Sequence, residues 1–217
     1  MDKEGIIRKT AYFVKQKMQG EGTGHDWWHV YRVWRSALHI GKKEKADLFI
    51  VQLGALLHDI ADFKFHGGDF SVGERATRKW LSSLEIDESA INHVADIVKN
   101  VSFKGAGVKS GISTKEGMVV QDADRLDALG AIGIARAFAY GGYTQSELYN
   151  PDIKPVLHKT ADEYKNSKSS SINHFYEKLL LLKELMNTKA GKKLATKRHK
   201  FMLKYLSQFY KEWDGGD

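Results

Sequence analysis

The sequence contains no cysteine, only two prolines and no long apolar run. Without cysteine, the chain has no disulfide, no thiolate metal ligand and no cysteine nucleophile. The longest apolar stretches, residues 53–57 and 179–182, are far shorter than the roughly 18 residues of a membrane span. The N-terminal Met-Asp-Lys-Glu lacks the apolar segment of a secretory signal. We therefore expect a cytoplasmic protein that does not enter a membrane.

The scarcity of proline favours helices, and apolar residues recur at helical spacing between glycines over most of the 217 residues. No alternating β-branched run is long enough to predict a sheet. The sequence thus predicts one all-α domain over residues 1–217, a helical bundle. Its parts are expected as follows: a helix at about 25–40 closed by Gly41, a helix at about 45–60, a helical stretch at 115–140, an irregular excursion or lid at 141–171 holding both prolines, and C-terminal helices at 172–213.

The formal net charge is +7, and much of the excess lies in residues 189–204. Such a segment attracts an anionic substrate or nucleic acid. Such a segment is more often a solvated helix face. We favour the solvated face, so nucleic acid is an allowed but not a favoured partner.

The pair His58–Asp59 directly follows the apolar run at 53–57. A carboxylate at the edge of a core needs a cation or hydrogen-bond donors, because its unpaired burial costs several kcal/mol. A metal ion supplies that cation and takes the neighbouring imidazole as a second ligand. The alternative is a surface helix end with a histidine near the negative pole of the dipole.

Two further segments carry polar groups in suggestive patterns. His25, His29 and Arg32 share one helix face at i, i+4 and i+7. A histidine on an apolar face is often only a core residue, but two histidines with an arginine favour a polar site. Asp122, Asp124 and Asp127 follow an apolar pair, which alone is also typical of a first helical turn.

Taken together, the three segments resemble the HD-domain phosphohydrolase superfamily, whose pattern is H…HD…D. The similarity is greatest to small bacterial HD proteins, on the motifs HDWWH (25–29), LLHDIAD (56–62) and DADRLDALGA (122–131). It extends from about residue 25 to 142, which is the expected motif core, and more loosely through the C-terminal helices. The resemblance implies four metal ligands: His29, His58, Asp59 and Asp124.

The choice among neighbouring candidates follows the family pattern: His29 rather than His25, and Asp124 rather than Asp122. Two imidazoles and two carboxylates suit manganese, iron, nickel, cobalt or zinc better than magnesium. Related proteins often carry another histidine just before a Ser-Phe step, but here residues 99–104 contain none. We therefore expect one divalent metal ion rather than two.

Other residues near these motifs are candidates for the remaining chemistry. Asp62 lies one turn after His58, and the corresponding acid in related enzymes is a general acid/base or positions water. Lys64 is a candidate for catalysis and for binding substrate phosphate, because it follows the doublet on an expected loop. Two more cations are candidates for phosphate binding: Arg32, which could instead pair with Asp59 or Asp124, and Arg125. Two residues are expected to support the ligands from outside: His25, and Asp127, which could orient Arg125 or a ligand histidine.

The function that these features predict is a metal-dependent phosphohydrolase acting on a nucleotide or similar small phosphate compound, with attack of water on phosphorus. Nucleoside triphosphate pyrophosphohydrolysis and nucleotidase action are the favoured forms. One alternative is a phosphodiesterase of the same fold. Another is a nucleotide- or nucleic-acid-binding module with little turnover. A homodimer is an allowed assembly, and the sequence specifies neither the base nor the product.

Overall fold

The fold is described from a computed structural model, which defines residues 2–18, 26–60, 71–102, 110–157 and 169–216. These residues form nine α-helices, one short 3-10 helix and no strand, so the prediction of an all-α protein is confirmed. The helices, in chain order, are α1 Lys3–Lys17, α2 Trp27–Glu44, α3 Leu48–Leu57, α4 Ser71–Ser82, α5 Glu88–Asn100, α6 Lys115–Asp127, α7 Gly130–Tyr143, α8 Ser171–Glu177, the 3-10 helix Leu179–Leu181, and α9 Lys189–Trp213.

Helices α2 and α3 begin at aspartates that cap their free backbone N–H groups. The Asp26 carboxylate accepts a hydrogen bond from the backbone N–H of His29 at 2.8 Å, which fixes the first turn of α2. Asp47 does the same for α3 by accepting from the N–H groups of Phe49 and Ile50. Each cap sets where its helix begins, and therefore which residues reach the buried face.

The predicted end of α2 at Gly41 is wrong. The helix continues to Glu44 and ends at Lys45, whose φ of 54° is left-handed. Gly41 is instead a point of close approach, because a Cβ atom there would lie 3.0 Å from the Leu48 side chain. The small residue thus serves the packing of α2 on α3, and α3 itself begins only at Leu48.

The predicted stretch 115–140 is two helices rather than one. Helix α6 ends at Asp127 and α7 begins at Gly130, whose φ of 75° is a conformation that glycine adopts readily. The predicted C-terminal helical region is also interrupted, because α8 ends at Glu177 and is followed by the 3-10 helix. The long final helix ends at Trp213, the predicted end of the C-terminal helices.

The chain divides into two compact units, one holding the described residues up to Asp124 and the other those from Arg125 onward. The sequence-based assignment of one domain remains a prediction. In the first unit, seven of the ten residues of α3 are buried. This makes α3 the central helix of that unit, packed against α1, α2 and α5.

Gly54 on α3 allows two neighbouring helices to approach closely. A Cβ atom at Gly54 would lie 3.3 Å from methyl groups of both Ile97 and Val120. We expect Gly54→Val to lower the free energy of unfolding by about 1–3 kcal/mol, because added methyl groups overpack a filled core. Urea unfolding would measure this. The matched control is Gly142→Val on α7, where nothing lies within 4 Å, and an equal loss in both variants would contradict the packing role.

In the second unit, α8 anchors part of the predicted 141–171 excursion. The Asn173 side-chain amide donates to the Ile153 carbonyl at 2.8 Å. The buried Glu177 carboxylate accepts from the backbone N–H of Val156 at 3.1 Å and from the Ser169 hydroxyl at 2.8 Å. The described residues between α7 and α8 contain no helix, and the assignment of an irregular excursion remains a prediction. Its role as a lid remains a prediction.

His174 on α8 should make stability depend on pH. Burial, with a smaller contribution from the charge of Lys178, lowers the pKa of His174 from 6.5 to about 3. Below pH 6.5, His174 binds a proton in the unfolded chain but stays neutral in the folded chain. The free energy of unfolding therefore falls as the pH decreases toward 3. We expect this to remove about 2 kcal/mol between pH 7 and pH 5.

The measurement is urea unfolding of wild type and His174→Gln at both pH values. The variant lacks the titrating group, so its loss of stability between the two pH values should be smaller by that amount. The same pH dependence in both proteins would show that His174 is not the group responsible.

Across the described chain, no helix combines the length and the apolar composition needed to cross a membrane.

Candidate metal centre

Helix α2 and the C-terminal end of α3 position the two histidines of the candidate site. His29 lies in the first turn of α2, where the Asp26 cap fixes the backbone. His58 and Asp59 follow immediately after the last residue of α3. Because α3 is buried along most of its length, its C-terminal end carries both groups to the edge of the core. The side chains of His29 and His58 are each 1% exposed, and that of Asp59 is 12% exposed.

The functional atoms of these residues converge on a small region. The Nε2 atoms of His29 and His58 lie 3.2 Å apart. The Asp59 Oδ2 atom is 3.3 Å from the His29 Nε2 and 3.5 Å from the His58 Nε2. The Asp124 Oδ1 atom, on α6 of the same unit, is 3.5 Å and 3.9 Å from these two nitrogens. Four potential ligand atoms from three chain segments therefore face one another.

A hydrogen bond of the His58 Nδ1 atom shows which ring nitrogen carries a proton. Its Nδ1 lies 2.8 Å from the Ala55 carbonyl, and a carbonyl can only accept, so the Nδ1 is the donor. In the neutral imidazole, the Nε2 is then a bare acceptor. It faces a second imidazole nitrogen and two carboxylates, a concentration of lone pairs that a cation stabilises.

The distances in this cluster fit a shared metal ion. Metal bonds to imidazole nitrogen and carboxylate oxygen measure about 2.0–2.2 Å, so ligand atoms around one ion lie roughly 3–3.5 Å apart. Four of the five distances quoted above lie within that range, and the distance of 3.9 Å from Asp124 to His58 is slightly longer. The donor set also fits, since two neutral imidazoles and two carboxylates suit a divalent transition metal.

Within the described chain, His29, His58 and Asp59 form the one group of three whose ligand atoms all lie within 4.8 Å of one another. Asp124 joins this group through its contacts with both histidines and is the most exposed of the four, at 28%. Its side chain forms the most accessible part of the cluster. Asp122, the alternative ligand considered from the sequence, is fully buried.

Two other predicted site residues have partners that the sequence did not suggest. Arg125 donates from Nη1 to the Leu185 carbonyl in the second unit. Asp127, which is 4% exposed, accepts from Arg136 at 2.6 Å. The sequence predicted a helical stretch here, weakly interrupted by glycines, and residues nine apart do not meet on a continuous helix. The turn between α6 and α7 brings them together.

The structure describes only some of the remaining predicted site residues. Arg32 is half-buried, three residues after His29 on α2. His25, Asp62 and Lys64 lie outside the described residues. His93, the histidine nearest the Ser-Phe step, lies 3.7 Å from the Glu116 carboxylate. The roles assigned to these residues, and the expectation of a single metal ion, remain predictions.

Comparison with known proteins identifies the family. The HD domain model matches residues 27–129, a range that contains all four convergent residues. The chain is 40% identical over 208 residues to the uncharacterized protein YpgQ of Bacillus subtilis, covering 94% of this chain and 92% of YpgQ. A crystal structure of YpgQ in complex with ADP aligns with 37% identity and a TM-score of 0.75, over 95% of this chain and 97% of that one.

Two further crystal structures align over nearly their whole lengths. An HD-superfamily hydrolase from Bacillus thuringiensis is 42% identical, with a TM-score of 0.77 and coverage of 98% of this chain and 99% of that one. A protein from Lactobacillus plantarum is 35% identical, with a TM-score of 0.85 and coverage of 99% and 100%. Sequence, fold and the four-residue cluster agree, and the chain belongs to the HD-domain superfamily of hydrolases.

Proposed function

We propose that this protein is a metal-dependent phosphohydrolase that acts on a nucleotide. The observation that carries the proposal is the convergence of His29, His58, Asp59 and Asp124, with the two Nε2 atoms 3.2 Å apart. These four residues would hold one divalent ion. When bound, the ion supplies positive charge for phosphoryl oxygens and makes water more acidic.

The protein's own groups prepare the site for hydrolysis. The Ala55 carbonyl holds the His58 ring in one tautomer and one orientation, so the site needs little reorganisation when ligands arrive. The exposure of Asp124 provides the open side on which phosphate and water could enter. Hydrolysis forms a bond from a water oxygen to phosphorus, breaks the bond from phosphorus to the leaving oxygen, and transfers a proton to that oxygen.

Asp62 is the proposed group for this proton transfer, because it follows His58 by four residues. Lys64, Arg32 and Arg125 are the proposed cations for substrate phosphates. These four assignments come from the sequence. For Arg125, the hydrogen bond to the Leu185 carbonyl supports an additional structural role.

The relative YpgQ supports a nucleotide as the substrate, because it has been crystallised with ADP. A nucleoside polyphosphate carries the anionic oxygens that a divalent ion and nearby cations neutralise. Such chemistry favours hydrolysis of a nucleoside triphosphate or a nucleotide monoester. Manganese, iron, nickel, cobalt and zinc are the ions that this donor set suits, and magnesium suits it less well.

The experiment is a panel of nucleoside mono-, di- and triphosphates and phosphodiesters, assayed with Mn²⁺, Co²⁺ and Mg²⁺. Release of pyrophosphate from triphosphates identifies a pyrophosphohydrolase, and release of phosphate from monophosphates identifies a nucleotidase. Turnover restricted to diesters would replace this proposal with a phosphodiesterase. No turnover on any substrate by metal-loaded protein would contradict enzymatic function and favour a binding module.

A further inference from the structure

The final helix α9 carries a row of lysines along the face that is turned away from its own unit. Its buried residues are Gly191, Ala195, Met202 and Leu206. At 100° per residue, six exposed lysines fall within an arc of about 80° on the opposite face. These six residues, named here the lysine row, are Lys189, Lys193, Lys197, Lys200, Lys204 and Lys211.

The charge of this helix is unbalanced. Between Glu184 and Glu212 the sequence contains eight lysines and arginines and no acid. This exceeds the net charge of +7 for the whole chain, so the rest of the protein is close to neutral. The positive excess is therefore concentrated on one helix instead of being spread over the surface, and it produces a directed field.

The lysine row also lacks internal partners. Among the residues that the structure describes, no carboxylate forms an ion pair with any of its six ammonium groups. Some cations elsewhere do form ion pairs, as in the contacts of Glu74 with Arg78 at 3.3 Å and with Lys99 at 3.2 Å. Six aligned charges without partners repel one another, and an external polyanion would relieve that repulsion.

We propose that the lysine row binds the phosphate backbone of duplex nucleic acid. From Lys189 to Lys211 it spans about 33 Å, which is close to the roughly 34–36 Å of one duplex turn. A duplex presents about one phosphate per 1.7 Å of its axis, so each lysine can find a partner. Lysines contacting only phosphates give binding without sequence preference.

A membrane fits this surface less well than a duplex. A helix that binds a lipid surface inserts its apolar face, but the apolar face of α9 is buried within the protein. The exposed Phe201 and Leu203, at 50% and 46%, lie on opposite flanks of the lysine row, each about 80° from its centre. The row therefore offers charge without a hydrophobic wedge.

The test compares two quadruple variants of the full-length protein. The first changes Lys193, Lys197, Lys200 and Lys204 to glutamine, which keeps a high helix propensity. The matched control changes four exposed lysines of the first unit to glutamine: Lys9, Lys15, Lys42 and Lys43. Both variants have the same net charge, and thermal unfolding by circular dichroism checks that both are folded.

The measurement is fluorescence anisotropy of a labelled 20-base-pair DNA duplex between 50 and 200 mM KCl. We expect the first variant to bind more than tenfold more weakly at 50 mM than wild type. The slope of log K against log salt should fall by about 3–4, at roughly 0.9 per lost phosphate contact. The control should keep wild-type affinity and slope, and both variants should retain nucleotide hydrolysis.

Three outcomes would overturn the proposal. One is failure of the wild type to bind the duplex at 50 mM KCl. Another is an equal loss of affinity in both variants, which would assign binding to net charge. The last is binding to vesicles containing 30 mol % phosphatidylserine with none to the duplex. Because the lysine row contains none of the four convergent residues, none of these results decides whether the protein hydrolyses nucleotides.

Discussion

Changing His58 to alanine is expected to lower kcat/KM for the best nucleotide substrate by about 10³-fold or more. The imidazole supplies one of the four convergent ligand atoms, and its removal would deprive the proposed ion of a nitrogen that the Ala55 carbonyl has already oriented. Metal-ion catalysis is worth several kcal/mol, and each 1.36 kcal/mol is a tenfold change in rate. Loss of the ion therefore corresponds to at least three orders of magnitude.

Two further variants separate catalysis from folding. Asp124→Ala should lose activity to a similar degree. Because the Asp124 side chain is partly exposed, its loss should lower the free energy of unfolding less than the loss of His58, and urea unfolding would measure this difference. His39→Ala, on the exposed face of α2, is the matched control and should keep wild-type kcat/KM. Substantial activity in His58→Ala with correct folding would show that hydrolysis does not depend on this cluster.

Divalent metal is expected to stabilise the folded protein strongly. An ion that binds the native state and not the unfolded chain stabilises it by about 4 kcal/mol at 1,000 times its dissociation constant. For a protein of this size, that corresponds to roughly 10 °C in the melting temperature. Melting of chelated protein, followed by addition of Mn²⁺, would measure the shift.

The isosteric variant Asp124→Asn is the control for this second prediction. It keeps the shape of the side chain but removes a carboxylate that lies 3.5 Å from the His29 Nε2, so its melting temperature should respond much less to Mn²⁺. An equal rise in both proteins would assign the stabilisation to another site. No rise in the wild type would argue against tight binding of the ion.

The sequence predicted the members of the cluster better than it predicted the helix ends. Local patterns placed His29 near a helix start and His58–Asp59 at a core edge, which the caps and burial of α2 and α3 explain. The meeting of residues 29, 58 and 124 is a tertiary contact that no local spacing reveals. It was available from the sequence only through the resemblance to HD proteins.

The errors have a common physical cause. Gly41 and Gly130 look alike in sequence, but Gly41 continues its helix and allows close packing, while Gly130 takes a left-handed φ beside a helix break. Tertiary contacts decide between these uses, so single-sequence patterns cannot. The pairing of Asp127 with Arg136 was missed for the same reason, because it depends on the turn after α6.

The positive charge of α9 lies on one face of the helix, which the composition does not show. From the sequence alone, the basic segment at 189–204 was interpreted as a solvated helix face. The helix places six of its lysines in one row opposite the buried residues, without carboxylate partners among the described residues. That arrangement supports a specific proposal with its own test, independent of the metal centre.

The most direct test of the central claim is the metal content of purified protein after incubation with Mn²⁺ and removal of free ion. Inductively coupled plasma mass spectrometry would compare wild type with His58→Ala and the control His39→Ala. We expect about one equivalent of metal in wild type and control, and close to none in His58→Ala. A full equivalent in folded His58→Ala would contradict the assignment of the metal site.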